Sequence, residues 1–245
     1  MKLIHFLILS LLTSISYGQK SAKIVFEDNT KMLITENMPS FLTNLIKSGR
    51  LDKNEQYEFM QIDNESLFKY LENDDVIDTF EDPGVSIINV SSNDDSYYWK
   101  NIQKDSLVML NSLDDKKYKI VDKLPKINWE LENKKEKILG YDVLSAVSRD
   151  TFLFGNPEVR VWFALSLPIS NGPFLLGGLP GMILKVELLT KSSHRIIEAK
   201  SIELNKEETI VIPKVKYKKV ISYDEFRVKK KAMMKKYEKM ENFSK

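Results

Sequence analysis

No cysteine occurs anywhere in the 245 residues. That excludes a disulfide framework, thiolate nucleophiles, paired-cysteine redox chemistry and cysteine zinc sites. Histidine is almost as scarce, with only His5 and His194. A Ser-His-Asp triad would have to be built on one of them, and no Gly-x-Ser-x-Gly elbow accompanies either. Neither sign of charge dominates, with 37 basic against 35 acidic residues, so a general nucleic-acid binder is not expected. Beyond the first 20 residues no apolar run approaches the ~18 that span a bilayer, and no transmembrane span is expected. Glycine and proline are few, at nine and eight. Apolar residues make up 42%, enough for a sizeable core without covalent staples.

The first residues differ from the rest. Lys2 precedes an apolar run from Leu3 to Leu12, and small residues follow at Ser16 and Gly18. This pattern predicts a signal peptide over residues 1–18, cut after Gly18, and export to the periplasm or beyond. No cysteine stands at the cut, so a lipoprotein anchor is not expected. Residues 19–245 are read as one β-rich domain. Its charge is unevenly spread: thirteen acidic side chains fall in residues 51–95, and ten basic ones in 218–245. Such runs mostly mark solvated faces, although a basic tail can also seek an anionic surface or partner.

Residues 37–50 predict a short helix, with Pro39 in its first turn, Phe41, Leu42, Leu45 and Ile46 on one face, and Gly49 to end it. Strand patterns follow at YYWKNI (97–102), DSLVML (105–110), KYKIVDKL (117–124), KINWEL (126–131) and ILGYDVLSAV (138–147). EVRVWFALSL (158–167) is apolar on both faces, as a central or doubly covered strand would be. MILKVELL (182–189) and HRIIEAKSIEL (194–204) complete the set. Short strands with no helices between them predict a mainly β fold, a curved antiparallel sheet, open barrel or sandwich. The C-terminal segment, residues 222–243, predicts an amphipathic helix. Ser222 and Glu225 form a capping box, and Ile221 and Phe226 a hydrophobic staple. Phe226, Met233, Tyr237 and Met240 make its apolar stripe, which packs on its own domain or grips a partner.

Residues 172–184, GPFLLGGLPGMIL, concentrate four of the nine glycines and two of the eight prolines. Phosphate-loop readings fit poorly, because Met182 follows Gly181 where a P-loop needs Lys, and a strand pattern follows where a dinucleotide site needs a helix. Leu179-Pro180-Gly181-Met182 reads instead as a type II turn, with Gly181 at positive φ, feeding a buried strand. Gly177 and Gly178 allow close approach by another backbone or a large ring.

The stretch Gly178, Leu179, Pro180, Gly181, Met182, Ile183 resembles the signature of the GLPGLI family, secreted bacterial proteins of unknown function. The resemblance extends over residues 118–190, through Trp129, the pair Gly140-Tyr141, Trp162 and the Pro-Ile-Ser step at 168–170. Met182 replaces the usual leucine, Phe174 stands where tryptophan is common, and Val143 stands where many members carry cysteine. The resemblance implies export, a β-rich fold and no established activity.

Chemistry-bearing residues are sparse. His194 reads as a strand-edge or turn residue, no metal or cofactor site is expected, and acidic residues such as those in DNESLF and SSNDDS lack a calcium-loop pattern. Aromatic residues gather near the signature. Trp129, Tyr141, Trp162 and Phe174 fill the core or line an apolar ligand surface. The expected function is therefore a non-catalytic envelope protein that binds a lipid or greasy peptide on a curved sheet. The alternatives are an interaction module with an envelope protein as partner, through the basic helix or a sheet edge, and a carboxylate-dependent hydrolase.

Overall fold

The computed structural model describes residues 21–36, 38–71, 77–82, 85–90, 95–113, 116–149, 158–205 and 209–243. The expected signal peptide lies outside these residues, as do the side chains of Tyr237 and Met240. In chain order the elements are β1 (Ser21–Met32), α1 (Ser40–Lys47), β2 (Lys53–Ile62), β3 (Glu65–Tyr70), β4 (Ile77–Asp82), β5 (Val85–Val90), β6 (Tyr97–Asn101), β7 (Ser106–Leu113), β8 (Lys116–Asp122), β9 (Glu130–Ile138), β10 (Tyr141–Ser148), β11 (Val159–Ala164), β12 (Met182–Leu189), β13 (Ser193–Leu204), β14 (Val220–Ile221) and α2 (Tyr223–Phe243).

Twelve strands form one curved, unclosed sheet in the order β14-β8-β7-β6-β3-β2-β1-β13-β12-β11-β10-β9, and β4 and β5 pair separately. All these pairings are antiparallel except β14 on β8. The mainly β expectation holds, as one open sheet. Register shifts at Val25/Phe26, Leu144/Ala146 and Trp162/Phe163 mark bulges, which bend strands and increase their twist.

Alternation sorts side chains between the two faces. Ala22, Ile24 and Phe26 of β1 stand opposite Gln61, Phe59 and Tyr57 of β2, and Ser66, Phe68 and Tyr70 continue the row on β3. Tyr98 and Lys100 follow on β6, then Met109 and Leu107 on β7. This is the inner face, and most of it is buried. On the outer face a smaller core of Met60, Leu67, Tyr97 and Leu110 lies under Ile210 and Val215, so the segment after β13 straps over it. That cover explains why β2, β3 and β7 are apolar on both faces.

Several boundaries differ from those expected. The strand expected over 126–131 starts later, at Glu130, because Trp129 turns aside to bond the chain ahead of the signature. The strand expected over 138–147 is broken by a hairpin turn, with Leu139 and Gly140 at φ 50° and 84°. The helices form as expected. Gly49, at φ 72°, lies just past α1, and the N–H of Glu225 donates to Ser222 Oγ (3.1 Å) at the start of α2. Glu225 does not complete the capping box; its carboxylate lies 2.7 Å from Lys219 Nζ instead. Ile221 and Phe226 are both buried, and Met233 is half-buried against the same core, so this part of the stripe packs on its own domain.

Candidate functional site

The segment between β11 and β12, residues 165–181, crosses the inner face and closes it. Phe174, Leu175, Leu176 and Leu179 are buried there. Phe174 sits at φ 52°, a conformation that costs a bulky residue roughly 1–3 kcal/mol. Each of the four apolar side chains gains roughly 1.5–3 kcal/mol on burial, so packing outweighs that strain. The Phe174 ring lies 4.5 Å from Phe68, 5.4 Å from Tyr98 and 5.6 Å from Tyr57, centroid to centroid. Tyr57 in turn stacks on Phe68 at 5.0 Å. Burial first of all pushes the Tyr57 hydroxyl pKa far up, and its O–H donates to Glu55 (2.9 Å).

Polar groups fix the crossover. Asn171, buried, donates through Nδ2 to Gln61 Oε1 (2.6 Å) and Ser66 Oγ (2.9 Å), and its Oδ1 accepts from the N–H of Gly172 (2.9 Å). Lys100, fully buried, donates to the carbonyls of Gly172 and Leu176, both at 2.8 Å. No ion pair to Lys100 exists among the described residues, and burial pushes its pKa down to about 7. Trp129 Nε1 donates to the carbonyl of Gly177 (2.9 Å). Beside Phe174, buried Asp28 pairs with half-buried Arg195, whose Nε lies 2.9 Å from Asp28 Oδ2 and whose guanidinium is 5.4 Å from the Phe174 centroid. Burial is the largest single influence and works against the Arg195 charge, but its hydrogen bond to Asp28 and the attraction of that carboxylate, with smaller contributions from Tyr57 and Tyr98, together raise its pKa.

The stretch Gly178–Ile183 thus packs Leu179 inside and feeds the buried strand β12, as expected. The type II turn expected at 179–182 is not what forms. The positive φ belongs to Gly178, at 83°, and not to Gly181. Glycine is required at 181 for space, since a Cβ there would collide with the carbonyl of Ala164. Gly172 is equally confined, with Ile183 Cβ 2.8 Å from where its own Cβ would lie.

The four aromatic residues expected to line one surface all belong to the main core or pack against it, but they do not share one face of the sheet. Phe174 is inside the inner-face cluster. Trp162 stands directly opposite Ser145 and Lys185 and shares their face, with Lys185 Nζ 4.4 Å from its ring centroid. Trp129 and Tyr141 are half-buried at the margin of the main core. Lys100, Asn171, Tyr57 and the Asp28–Arg195 pair escape sequence reasoning. Only the alternation of Ala22, Ile24, Phe26 and Asp28 hinted that one carboxylate points inward.

The polar face around Trp162 carries cross-strand ion pairs. Arg160 bonds Glu132 (Nε to Oε2, 2.8 Å), and its guanidinium is 3.5 Å from Glu187. His194 Nε2 lies 2.8 Å from Glu187 Oε1, on β13 beside its hairpin turn. Hydrogen bonds from Asn54, Arg160 and Lys219 hold Glu27, Glu132 and Glu225 respectively below the usual carboxylate pKa, whereas a general acid needs a raised one. Among the described residues no cluster of three or more His, Asp or Glu is placed to hold a metal ion, and no helix is long and apolar enough to cross a membrane.

Fold and site together define an open, curved β-sheet protein whose aromatic inner face is closed by its own chain. No family model and no curated protein sequence matches it. Solved structures that resemble it include PNGF-II in two crystal forms. The first is 16% identical over 77% of this chain, with a TM-score of 0.48, and the second 17% identical over 78%, with 0.46. The chain spans only 28% and 29% of those two chains. A domain from Vibrio parahaemolyticus described as an outer membrane lipoprotein-sorting protein is 8% identical, over 79% of this chain and 88% of its own, with a TM-score of 0.34. At these scores the likenesses carry nothing about function.

Proposed function

We propose that the chain is an exported, non-catalytic envelope protein of the GLPGLI type. In this reading it takes an apolar ligand, an acyl chain or a greasy peptide, on its inner face when the crossover lifts. The observation that carries this reading is the nature of the cover. An aromatic face of Phe26, Tyr57, Phe68 and Tyr98 lies under an irregular segment that apolar packing and a few polar groups hold down, without a strand ladder. A segment held in this way opens at lower cost than a strand in a full ladder.

Asn171→Ala removes two of the bonds that fix the crossover, to Gln61 and Ser66. The variant should bind a fluorescent fatty acid more tightly than the wild type, with unchanged far-UV circular dichroism. Native mass spectrometry of mature protein from its own periplasm should show co-purified lipid. A bare protein that ignores the probe in both forms sinks the reading. A second reading, a partner-binding module, is favoured by the exposure of Lys231, Lys235 and Lys236 on α2. It predicts one captured envelope protein and no lipid. Turnover of a glycan or an ester would overturn both readings.

A further inference from the structure

The outer face carries a second feature, independent of the inner-face reading. Tyr97, Leu110 and Lys119 stand in register across β6, β7 and β8. The strap that follows β13 runs past them, and Tyr97, Lys119, Ile212, Pro213, Lys214, Val215, Lys216 and Tyr217 line a groove of about 490 Å³. That volume falls in the range of small-molecule sites.

The groove walls are built in advance. Val215 packs on the outer core, and Pro213 stiffens the chain beside it. Just downstream the N–H of Lys218 donates to the carbonyl of Lys117 (2.7 Å), and that of Lys119 to the carbonyl of Lys219 (3.2 Å). Among the described residues, carboxylates near the groove are already engaged. Asp95 pairs with Lys117, Glu225 with Lys219 and Lys229, and Glu58 with Lys23 and Lys69. Lys119, Lys214 and Lys216 have no ion-pair partner among the described residues, and Lys119 Nζ rests 5.6 Å from the centroid of the half-exposed Tyr217 ring.

Three lysines around one groove, none with a carboxylate partner among the described residues, favour an anion there. The cations that line the groove are all lysines. Ammonium groups act as compact point charges, which suit the concentrated charge of a phosphate. Tyr217, Tyr97 and the aliphatic side chains offer apolar contact for the body that carries it. We infer that this groove binds a phosphate ester on a compact, sugar-sized body, either a free sugar phosphate or the headgroup of a phospholipid.

The probes are glucose 1-phosphate, glucose and phosphatidylglycerol vesicles, applied to the mature full-length protein. Glucose 1-phosphate should shift the NMR resonances of Lys119 and Tyr217, and glucose should not. The affinity should fall severalfold between low salt and about 300 mM NaCl, as screening requires. The triple variant Lys119→Gln, Lys214→Gln, Lys216→Gln should lose at least about tenfold in affinity with an unchanged melting temperature, and Tyr217→Ala should weaken binding through lost contact alone. Vesicle binding that the triple variant abolishes would assign the phosphate to a lipid headgroup and also supports the site. Equal response to glucose, binding that survives the triple substitution in solution and on vesicles, or no response to any probe overturns it. None of these results touches the inner face, so failure here is distinguishable from failure of the apolar-ligand reading.

Discussion

At the scale of single residues, two positions carry most of the physical tension. Lys100 is a buried cation that faces only carbonyls. Unfolded, it keeps its proton up to its ordinary value of 10.5, and folded it gives it up near about 7. Between those values the unfolded chain binds more protons, so the contribution of Lys100 to stability rises with pH across this window and is flat below it. Lys100→Met removes that slope. The difference in urea midpoint, wild type minus variant, should therefore grow from pH 7 to about pH 9, and a difference independent of pH would show that the ammonium is not penalised by burial. Gly181 is the other position. Its substitution forces a Cβ into the backbone of Ala164, which should cost Gly181→Ala about 3 kcal/mol. Gly140→Ala is the control. It has open space but φ 84°, and should lose only roughly 1 kcal/mol. The reverse order in denaturant titrations would show that conformation, and not crowding, fixes glycine at 181.

At the scale of elements, the sheet has to manage two edges. One is covered by the short parallel strand β14. The other, β9, is nine residues long and exposes a row of backbone groups that another chain could pair with. Its sequence ELENKKEKI answers this with charge, and Lys134, Lys135 and Lys137 are all exposed. Replacing Lys135 and Lys137 with valine should raise the aggregation rate measured by light scattering while the monomer's fold is retained. An unchanged rate would mean that the edge is protected by something other than its lysines. The same charges that protect β9 made it hard to place. Most of it fell between the strands expected at 126–131 and 138–147, whereas MILKVELL, apolar and β-branched, was legible as β12 to the residue. YYWKNI and KYKIVDKL were likewise readable because their periods match the pleat. β1 carried a clear alternation of its own, but its pairing with β13, far along the chain, left no local trace.

At the scale of the whole molecule, both faces of the sheet are closed by chain that arrives from elsewhere. The crossover at 165–181 covers the inner face, the strap after β13 covers part of the outer face, and α2 returns to set Phe226 in the inner core. The sequence by itself determined the mainly β class, the two helices, the strand after the signature, and the absence of any disulfide, because these depend on composition and short-range period. It also showed that the glycines near 180 serve the backbone, although it assigned the wrong reason to Gly181. Only the tertiary structure decided that Trp162 and Phe174 occupy opposite faces, that Lys100 and Asn171 hold the crossover, and that Lys119 meets Lys214, Lys216 and Tyr217 around one groove. A one-residue change of register moves a side chain to the other face of a sheet, and register is set by partners far along the chain. Proximity of that kind is a property of the fold, and local pattern cannot contain it.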